Sequence, residues 1–380
     1  MSQTPLVVLA AGGTGGHVFP AEALAVELKN RGCRLALITD RRGGYYNGGL
    51  SDVETHRIQA GGVAGKGMLA RMKSLPELAF GTLQARSLLR KLKPAVVVGF
   101  GGYASFPTLM AATIAGFPTV IHEQNAILGR ANRLLASRVD RIATSFERSR
   151  GLPEESNGKV VCTGMPVRSA IVAKRGTPYP PLREDSPINV MVMGGSQGAR
   201  VFSEVLPSAL VKLDPRWRER LAMTQQCRPE DLETVRQSYV GLGIKADLSS
   251  FFSDIPERLA AAHLLIGRSG ASTVAEITAI GRPAIMVPYP YAVDDHQTAN
   301  AHAIDEEGGG WLMPEQSFTP DSLVERLNAL FGYPTALENA AACSLAIGRP
   351  EAAQTFADVV CNVMHSNGND KNGSIGRQAA

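Results

Sequence analysis

A strand, a glycine-rich loop and a helix follow one another at the start of the chain, and the same succession begins afresh near residue 188. Residues 6–11 are an apolar run that leads into Gly12-Gly13-Thr14-Gly15-Gly16. Residues 188–193 are another, leading into Gly194-Gly195-Ser196-Gln197-Gly198 and a helix from about Ala199. A buried strand that ends in glycines and turns at once into a helix opens a doubly wound α/β domain, so two such openings predict two domains. Between them, short runs rich in valine and isoleucine at 35–39, 95–99, 119–122 and 141–144 alternate with helical patterns at 22–30 and 74–91. That alternation predicts parallel sheets covered by helices.

Length agrees with this reading. A chain of 380 residues suits two domains, each of about 150 residues. The segment 174–187 carries four prolines and reads as a linker. We therefore expect an N-terminal domain over 1–164 and a C-terminal domain over 165–345. A helix at 346–366 should pack back toward the first domain, and the Gly/Asn/Ser-rich stretch 367–380 reads as a disordered tail. Parallel sheets bind ligands beyond the carboxyl ends of their strands. Two domains facing across a deep cleft would bring both sets of strand ends together.

Five cysteines are scattered without a Cys-x-x-Cys pair, which argues against a disulfide framework or a zinc site and fits a reducing compartment. No signal peptide is visible at the N-terminus. Residues 95–121 lack any charge, but Gly101-Gly102, Pro107, Gly116 and Pro118 cut the stretch into pieces; none reaches the roughly 20 residues of a membrane span. The net charge of +4 hides an asymmetry: residues 1–164 hold 20 Lys+Arg against 11 Asp+Glu, and residues 165–380 hold 19 against 24. The first half is therefore expected to face an anionic partner.

Three glycine loops stand at strand ends: Gly12 to Gly16, Gly99-Phe100-Gly101-Gly102-Tyr103, and Gly194 to Gly198. Glycines let backbone N–H groups approach an anion, and a following helix N-terminus favours negative charge. None of these loops is followed by the Lys-Ser/Thr of a P-loop, and the first is out of register for a dinucleotide fingerprint. An anionic ligand outside those two classes is the better reading.

The loops belong to a longer ordered set. Gly12-Gly13-Thr14-Gly15-Gly16-His17-Val18-Phe19-Pro20, Gly101-Gly102-Tyr103, His122-Glu123-Gln124-Asn125, Gly194-Gly195-Ser196-Gln197-Gly198-Ala199 and Asp295-His296-Gln297-Thr298-Ala299-Asn300-Ala301 occur in this sequence over residues 6–350. Together they resemble the MurG family, the undecaprenyl-diphospho-muramoylpentapeptide N-acetylglucosaminyltransferases of peptidoglycan synthesis. The resemblance implies a GT-B fold of two Rossmann-like domains. It also implies a UDP-N-acetylglucosamine donor, a lipid I acceptor, inversion at the anomeric carbon, and lipid II as product. Methionine stands at 165 where the family commonly has asparagine.

The resemblance implies that the second domain holds the donor. Glu276 would accept hydrogen bonds from the ribose hydroxyls, with Ser272 and Thr273 beside it at the start of the same helix. Phe252, next to Phe251, falls where the family holds the uracil, partly through backbone groups. Ser196 and the adjacent helix N-terminus would hold the donor diphosphate, with Gln197 also on the donor side, Arg168 would add a charge-assisted bond, and His296 and Gln297 would read the sugar hydroxyls. From the first domain, Thr14, Gly15, Gly16 and Asn125 belong to the donor side, and Gly13, Gly102 and Tyr103 to the acceptor side. An inverting transfer needs a base for the acceptor hydroxyl. His17 is the candidate, since histidine can take a proton near neutral pH, and His122 and Glu123 are its rivals. Asp294-Asp295-His296 invites a metal reading, but adjacent spacing is poor for one ion, so no metal and no other cofactor are expected.

Residues 66–93 set Lys66, Arg71, Lys73, Arg86, Arg90, Lys91 and Lys93 against one acid, Glu77, with Met68, Leu69, Met72, Leu75 and further apolar residues interleaved. Part of this must be an amphipathic core helix. Basic residues flanking apolar ones also suit an anionic membrane surface, and the resemblance implies peripheral contact with the cytoplasmic face of the inner membrane, beside other cell-wall synthesis or division proteins. No RNA-binding motif or aromatic platform supports a nucleic-acid partner. The rival functions are another GT-B enzyme, such as a glycolipid glycosyltransferase or a UDP-N-acetylglucosamine epimerase, and a non-catalytic nucleotide-sugar-binding protein.

Overall fold

Valine-rich runs without polar residues suit strands covered on both faces, and this governs both halves of the chain. The structure is a computed structural model, which describes residues 4–12, 15–40, 48–60, 68–102, 104–195 and 198–375. The chain forms two compact units, one of Met1–Arg168 with Glu351–Ala380 and one of Ser169–Pro350.

The first unit runs β1 (Leu6–Ala10), α1 (Gly15–Asn30), β2 (Arg34–Thr39), β3 (Glu54–Arg57), α2 (Met68–Leu92), β4 (Val96–Gly99), α3 (Ser105–Ile114), β5 (Thr119–Glu123), α4 (Arg130–Leu135), β6 (Arg141–Thr144) and β7 (Val160–Cys162). The second runs α5 (Ser169–Val172), β8 (Ile188–Met193), α6 (Arg200–Lys212), α7 (Pro215–Arg218), β9 (Leu221–Gln226), α8 (Leu232–Gly241), β10 (Lys245–Ser249), α9 (Ile255–Ala261), β11 (Leu264–Gly267), α10 (Ala271–Ile280), β12 (Ala284–Met286), α11 (His296–Asp305), β13 (Gly310–Leu312), α12 (Pro320–Gly332) and α13 (Pro334–Ile347). The last helix, α14 (Ala352–Ile375), returns to the first unit and continues past Asn367.

The first sheet is parallel with order β3-β2-β1-β4-β5-β6-β7. Side chains alternate across it, as the period of two requires. Val7, Leu9, Val96 and Val98 pack with Leu24 and Leu28 of α1 and with Phe356 and Val360 of α14. Val8, Ala10 and Val97 pack on the opposite face with Leu89 of α2, Leu109 of α3 and Leu135 of α4. The order reverses between β1 and β4, so their carboxyl ends frame a crevice at the switch point.

The second sheet has order β10-β9-β8-β11-β12-β13 and reverses between β8 and β11. Its larger core joins Val190 and Val192 of β8 to Phe202 and Leu206 of α6, Tyr239 of α8 and Leu327 of α12. The proline-rich segment 174–187 lies inside this unit and is bonded to it. Arg175 donates to the carbonyls of Ala279 (3.0 Å) and Leu345 (2.8 Å), Arg282 donates to that of Pro178 (3.1 Å), and the Tyr179 hydroxyl donates to that of His263 (2.8 Å).

Among the buried polar side chains of the first unit is a histidine. His122 of β5 is fully buried, its ring 4.9 Å from Phe356 and 6.0 Å from Phe100. Burial pushes its imidazole down to about 4, and neighbouring His17 acts in the same direction. The unfolded chain takes up this proton near 6.5 while the folded one resists until about 4. Stability present above that window is lost as the pH falls through it, by roughly 3 kcal/mol for this side chain. Denaturant titrations from pH 7 to pH 4 are expected to show a shallower acid slope for His122→Gln than for the parent, by close to one proton. Parallel slopes would mean that His122 is charged in the fold.

Candidate functional site

The crevice of the first unit is built by close backbone approach. The Gly12 amide donates to the Gly101 carbonyl (3.3 Å), joining the loops after β1 and β4. Gly102 has φ +78°, and a Cβ there would stand 2.8 Å from the Gly12 Cα, so both conformation and space require glycine. His17, in the first turn of α1, lies against these glycines. A Cβ on Gly101 would be 3.1 Å from its Cε1, and one on Gly102 would be 3.2 Å from its Cδ2. Burial draws the His17 imidazole below its ordinary range, and the Phe100 carbonyl and Gln124 side chain oppose that shift. Nδ1 is shut off from solvent and makes no hydrogen bond of full geometry.

The two rivals of His17 are committed to the fold. His122 Nε2 faces the Gly164 carbonyl at 3.2 Å and Nδ1 faces the Gln124 amide nitrogen at 3.1 Å, so both ring nitrogens are engaged. Glu123 is buried, and both of its oxygens accept. Oε1 takes the Asn125 amide (3.0 Å) and Oε2 takes the Gly129 amide (2.8 Å) and Asn132 Nδ2 (2.9 Å). The carboxylate thus shapes the turn after β5, and Asn125 leans on it through Nδ2 (3.4 Å). Arg168 ends the first unit, its guanidinium 5.0 Å over the Phe19 ring of α1. Gly16 has open space around it. Gly13, Thr14 and Tyr103 lie outside the described residues, as does the surround of Gly15.

In the second unit the loop after β8 is equally tight, since a Cβ on Gly194 would meet the Ala199 amide at 2.3 Å. Ser196 and Gln197 fall outside the described residues. Beyond β11, Ser272 and Thr273 sit half-buried in the first turn of α10, and Glu276 is only 8% exposed on the same helix. Side-chain bonds tie the surrounding loops together. Ser269 Oγ donates to the Gln297 carbonyl (2.8 Å), and Asn300 Nδ2 donates to the Ser269 carbonyl (3.0 Å). Arg268 donates to the carbonyls of Val287 (3.1 Å) and Pro288 (2.9 Å) and pairs with Glu315 (2.5 Å). Gln297 Oε1 accepts from the Tyr289 amide (2.9 Å), which leaves its NH2 to donate. His296 Nδ1 donates to the Val293 carbonyl (2.8 Å), so its Nε2 carries the lone pair.

Phe252 is buried under the Arg258 guanidinium (4.2 Å), whereas Phe251 is 74% exposed. Asp294 and Asp295 adopt consecutive left-handed conformations, and the Asp295 carboxylate accepts from Thr298 Oγ1 (2.7 Å). Among the described residues, no cluster of three His, Cys, Asp or Glu side chains could hold a metal ion. Depressions of about 420 Å³ beside Asn189, Thr224 and Arg258 and about 360 Å³ beside Tyr179 and Arg282 include none of the expected site residues.

On α2, Phe80 and Leu83 are 49% and 62% exposed, Arg86 is half-buried and Arg90 exposed. Lys66 and the side chains of Met68, Leu69, Arg71, Met72, Lys73 and Leu75 lie outside the described residues. No described helix is long and apolar enough to cross a membrane. Sequence reasoning gave no role to Gln124, Asn132, Arg268 or Phe356. The signal for Gln124 was available: it stands two residues after His122 at a strand end and shares its side of the chain.

Comparison with known proteins places these loops in a family. Residues 7–144 match the glycosyltransferase family 28 N-terminal domain, and residues 189–359 match its C-terminal domain. The chain is 59% identical to the UDP-N-acetylglucosamine–N-acetylmuramyl-(pentapeptide) pyrophosphoryl-undecaprenol N-acetylglucosamine transferase of Paramagnetospirillum magneticum, over 96% of this chain and 98% of that one. It is similar to the crystal structure of Acinetobacter baumannii MurG, with TM-score 0.75, 29% identity, and coverage of 94% and 99%. It also shares its fold, at 13% identity and TM-score 0.66, with a UDP-GlcNAc 2-epimerase from Neisseria meningitidis, over 94% of this chain and all 100% of that one. Two parallel Rossmann-like sheets and full-length kinship lead to one assignment: the chain belongs to the MurG family of GT-B glycosyltransferases.

Proposed function

We propose that the protein transfers N-acetylglucosamine from UDP-N-acetylglucosamine to the C4 hydroxyl of lipid I, with inversion, to give lipid II. The observation that carries this reading is the 59% identity, across nearly the whole of both chains, to a relative named for a transfer of that kind. The acceptor oxygen attacks the anomeric carbon, the bond from that carbon to the diphosphate breaks, and UDP leaves. His17 takes the hydroxyl proton, a role supported by the engagement of both His122 nitrogens and both Glu123 oxygens elsewhere. Gly13, Gly102 and Tyr103 face the acceptor.

The second unit holds the donor. Glu276 accepts from the ribose, with Ser272 and Thr273 beside it, and the Phe252 backbone meets the uracil. Gln297 donates through its NH2, and His296 accepts at Nε2. The glycine loop with Ser196 and Gln197, the start of α6 and Arg168 offset the charge of the departing diphosphate. Thr14, Gly15, Gly16 and Asn125 complete the donor contacts. The reaction needs no metal on this reading. The basic and apolar side chains of α2 rest on the anionic cytoplasmic face of the inner membrane, where the acceptor is anchored.

Purified protein incubated with labelled UDP-N-acetylglucosamine is expected to move label into lipid only when lipid I is present, with or without a strong chelator. An epimerised sugar formed without lipid would overturn the transfer reading, and loss of turnover in chelator restored by magnesium or manganese would overturn the metal-free one. For Glu276→Ala we expect a weaker donor affinity with little change in KM for lipid I, since a truncated charged hydrogen bond costs about 1.5–3 kcal/mol. Unchanged donor affinity in a folded variant would remove the ribose assignment. Vesicles of anionic lipid should bind the protein better than neutral ones, less so at high salt and with Arg86 and Arg90 both changed to glutamine. A soluble short-chain acceptor should still turn over in that variant, and equal binding to both vesicle types would refute the electrostatic contact.

A further inference from the structure

Gln124 sits between two histidines with its amide orientation fixed. It is almost fully buried, and its Nε2 donates to the Phe100 carbonyl (2.8 Å). The same nitrogen faces His122 Nδ1 at 3.1 Å. A carbonyl oxygen only accepts, so turning the amide over would set two oxygens against each other inside the protein. His122 agrees with this orientation. Its Nε2 faces the Gly164 carbonyl and must carry the proton, which leaves Nδ1 bare to accept from Gln124. The ring is braced from behind by Phe356 of α14 at 4.9 Å.

With the nitrogen so engaged, Gln124 Oε1 is left on the other side, toward the glycines that hold His17. A Cβ on Gly101 would stand 3.7 Å from Gln124 Oε1 and 3.3 Å from His17 Nδ1, so both atoms converge on one point. A carbonyl-type oxygen there favours the tautomer of His17 protonated on Nδ1. Its lone pair is then on Nε2, the other nitrogen of the ring.

We propose that Gln124 is a positioning residue for the transfer: held by the Phe100 carbonyl and the His122 ring, it fixes His17 in the tautomer whose Nε2 accepts the proton of the acceptor hydroxyl. This rests on His17 being the base. The hydroxyl proton passes to Nε2 as the new glycosidic bond forms and the diphosphate leaves, and Oε1 stabilises the resulting imidazolium through Nδ1–H. The contact lacks full hydrogen-bond geometry here; catalytic hydrogen bonds tighten as the reacting group approaches.

The test uses the full-length protein and the lipid I assay, with Gln124→Leu, His17→Ala and the double variant. Gln124→Leu should lower kcat by on the order of ten- to a hundredfold, with KM for both substrates nearly unchanged. The acid limb of its pH–rate profile should move to lower pH, because the imidazolium loses an acceptor. His122 is the titratable neighbour on β5, and its own imidazole is pushed down to about 4 by burial, with His17 acting in the same direction. In the His17→Ala background the Gln124 change should cost nothing more. Independent, multiplying losses would overturn the positioning role while leaving His17 as base. Near-parental kcat in His17→Ala would instead remove the base reading itself. Should Gln124→Leu fail to fold, 15N spectra of histidine-labelled parent protein decide the matter. They are expected to show His17 protonated on Nδ1, and the Nε2–H tautomer would overturn the proposal.

Discussion

The hydrogen bond from the Gly12 amide to the Gly101 carbonyl closes the switch point of the first sheet, and the site of the first unit depends on it. Two loops can approach that closely only where side chains are missing, which explains glycine at 101 and 102 in mechanical terms. The bond sets β1 and β4 loops at a fixed spacing. That spacing leaves one slot, and the His17 ring fills it. The strand behind supplies Gln124 and His122, and α14 presses Phe356 onto that layer from the far end of the chain. A residue more than two hundred positions away in sequence thus backs the His122 ring, against which the Gln124 amide is held.

The second unit solves a similar problem differently. Its loop after β8 is tight for the same backbone reason, but the loops after β11 and β12 are held by side chains. Arg268 spans to two carbonyls and a carboxylate, and Ser269 and Asn300 tie strand end to helix start. Charge-assisted bonds of this sort hold a loop in one geometry without shortening it. Gln297 and His296 emerge with one polar atom of each engaged by backbone, so the atom left for a ligand is defined. Preorganised polar groups of that kind are what sugar recognition and charge stabilisation at a leaving group need.

Much of this was legible locally. The valine-rich runs marked the strands because both faces of a parallel sheet are apolar, and the glycine clusters marked strand ends because only glycine tolerates such turns. The proline-rich stretch 174–187 illustrates the opposite case. Its composition reads as a linker, yet Arg175, Tyr179 and Arg282 bond it to the second unit, and the chain passes between units at Arg168 and at Pro350 instead. Composition reports how freely a segment could move alone; it carries no record of carbonyls a hundred residues away.

The same division holds at the site. The sequence by itself determined the two α/β openings, the anion-suited loops and the small set of histidines and carboxylates able to act as a base, because those follow from residue type and short spacing. Only the tertiary structure decided which of their polar atoms are already engaged. His122 and Glu123 look as reactive as His17 in a linear reading. Packing surrounds His122 with Gly164, Gln124 and Phe356, and Glu123 with Asn125, Gly129 and Asn132, and so engages every polar side-chain atom of both. Availability of a lone pair depends on what lies within hydrogen-bonding reach in space: Glu123 is engaged by the turn that follows it, whereas His122 is met by Gly164 and braced by Phe356, both far along the chain.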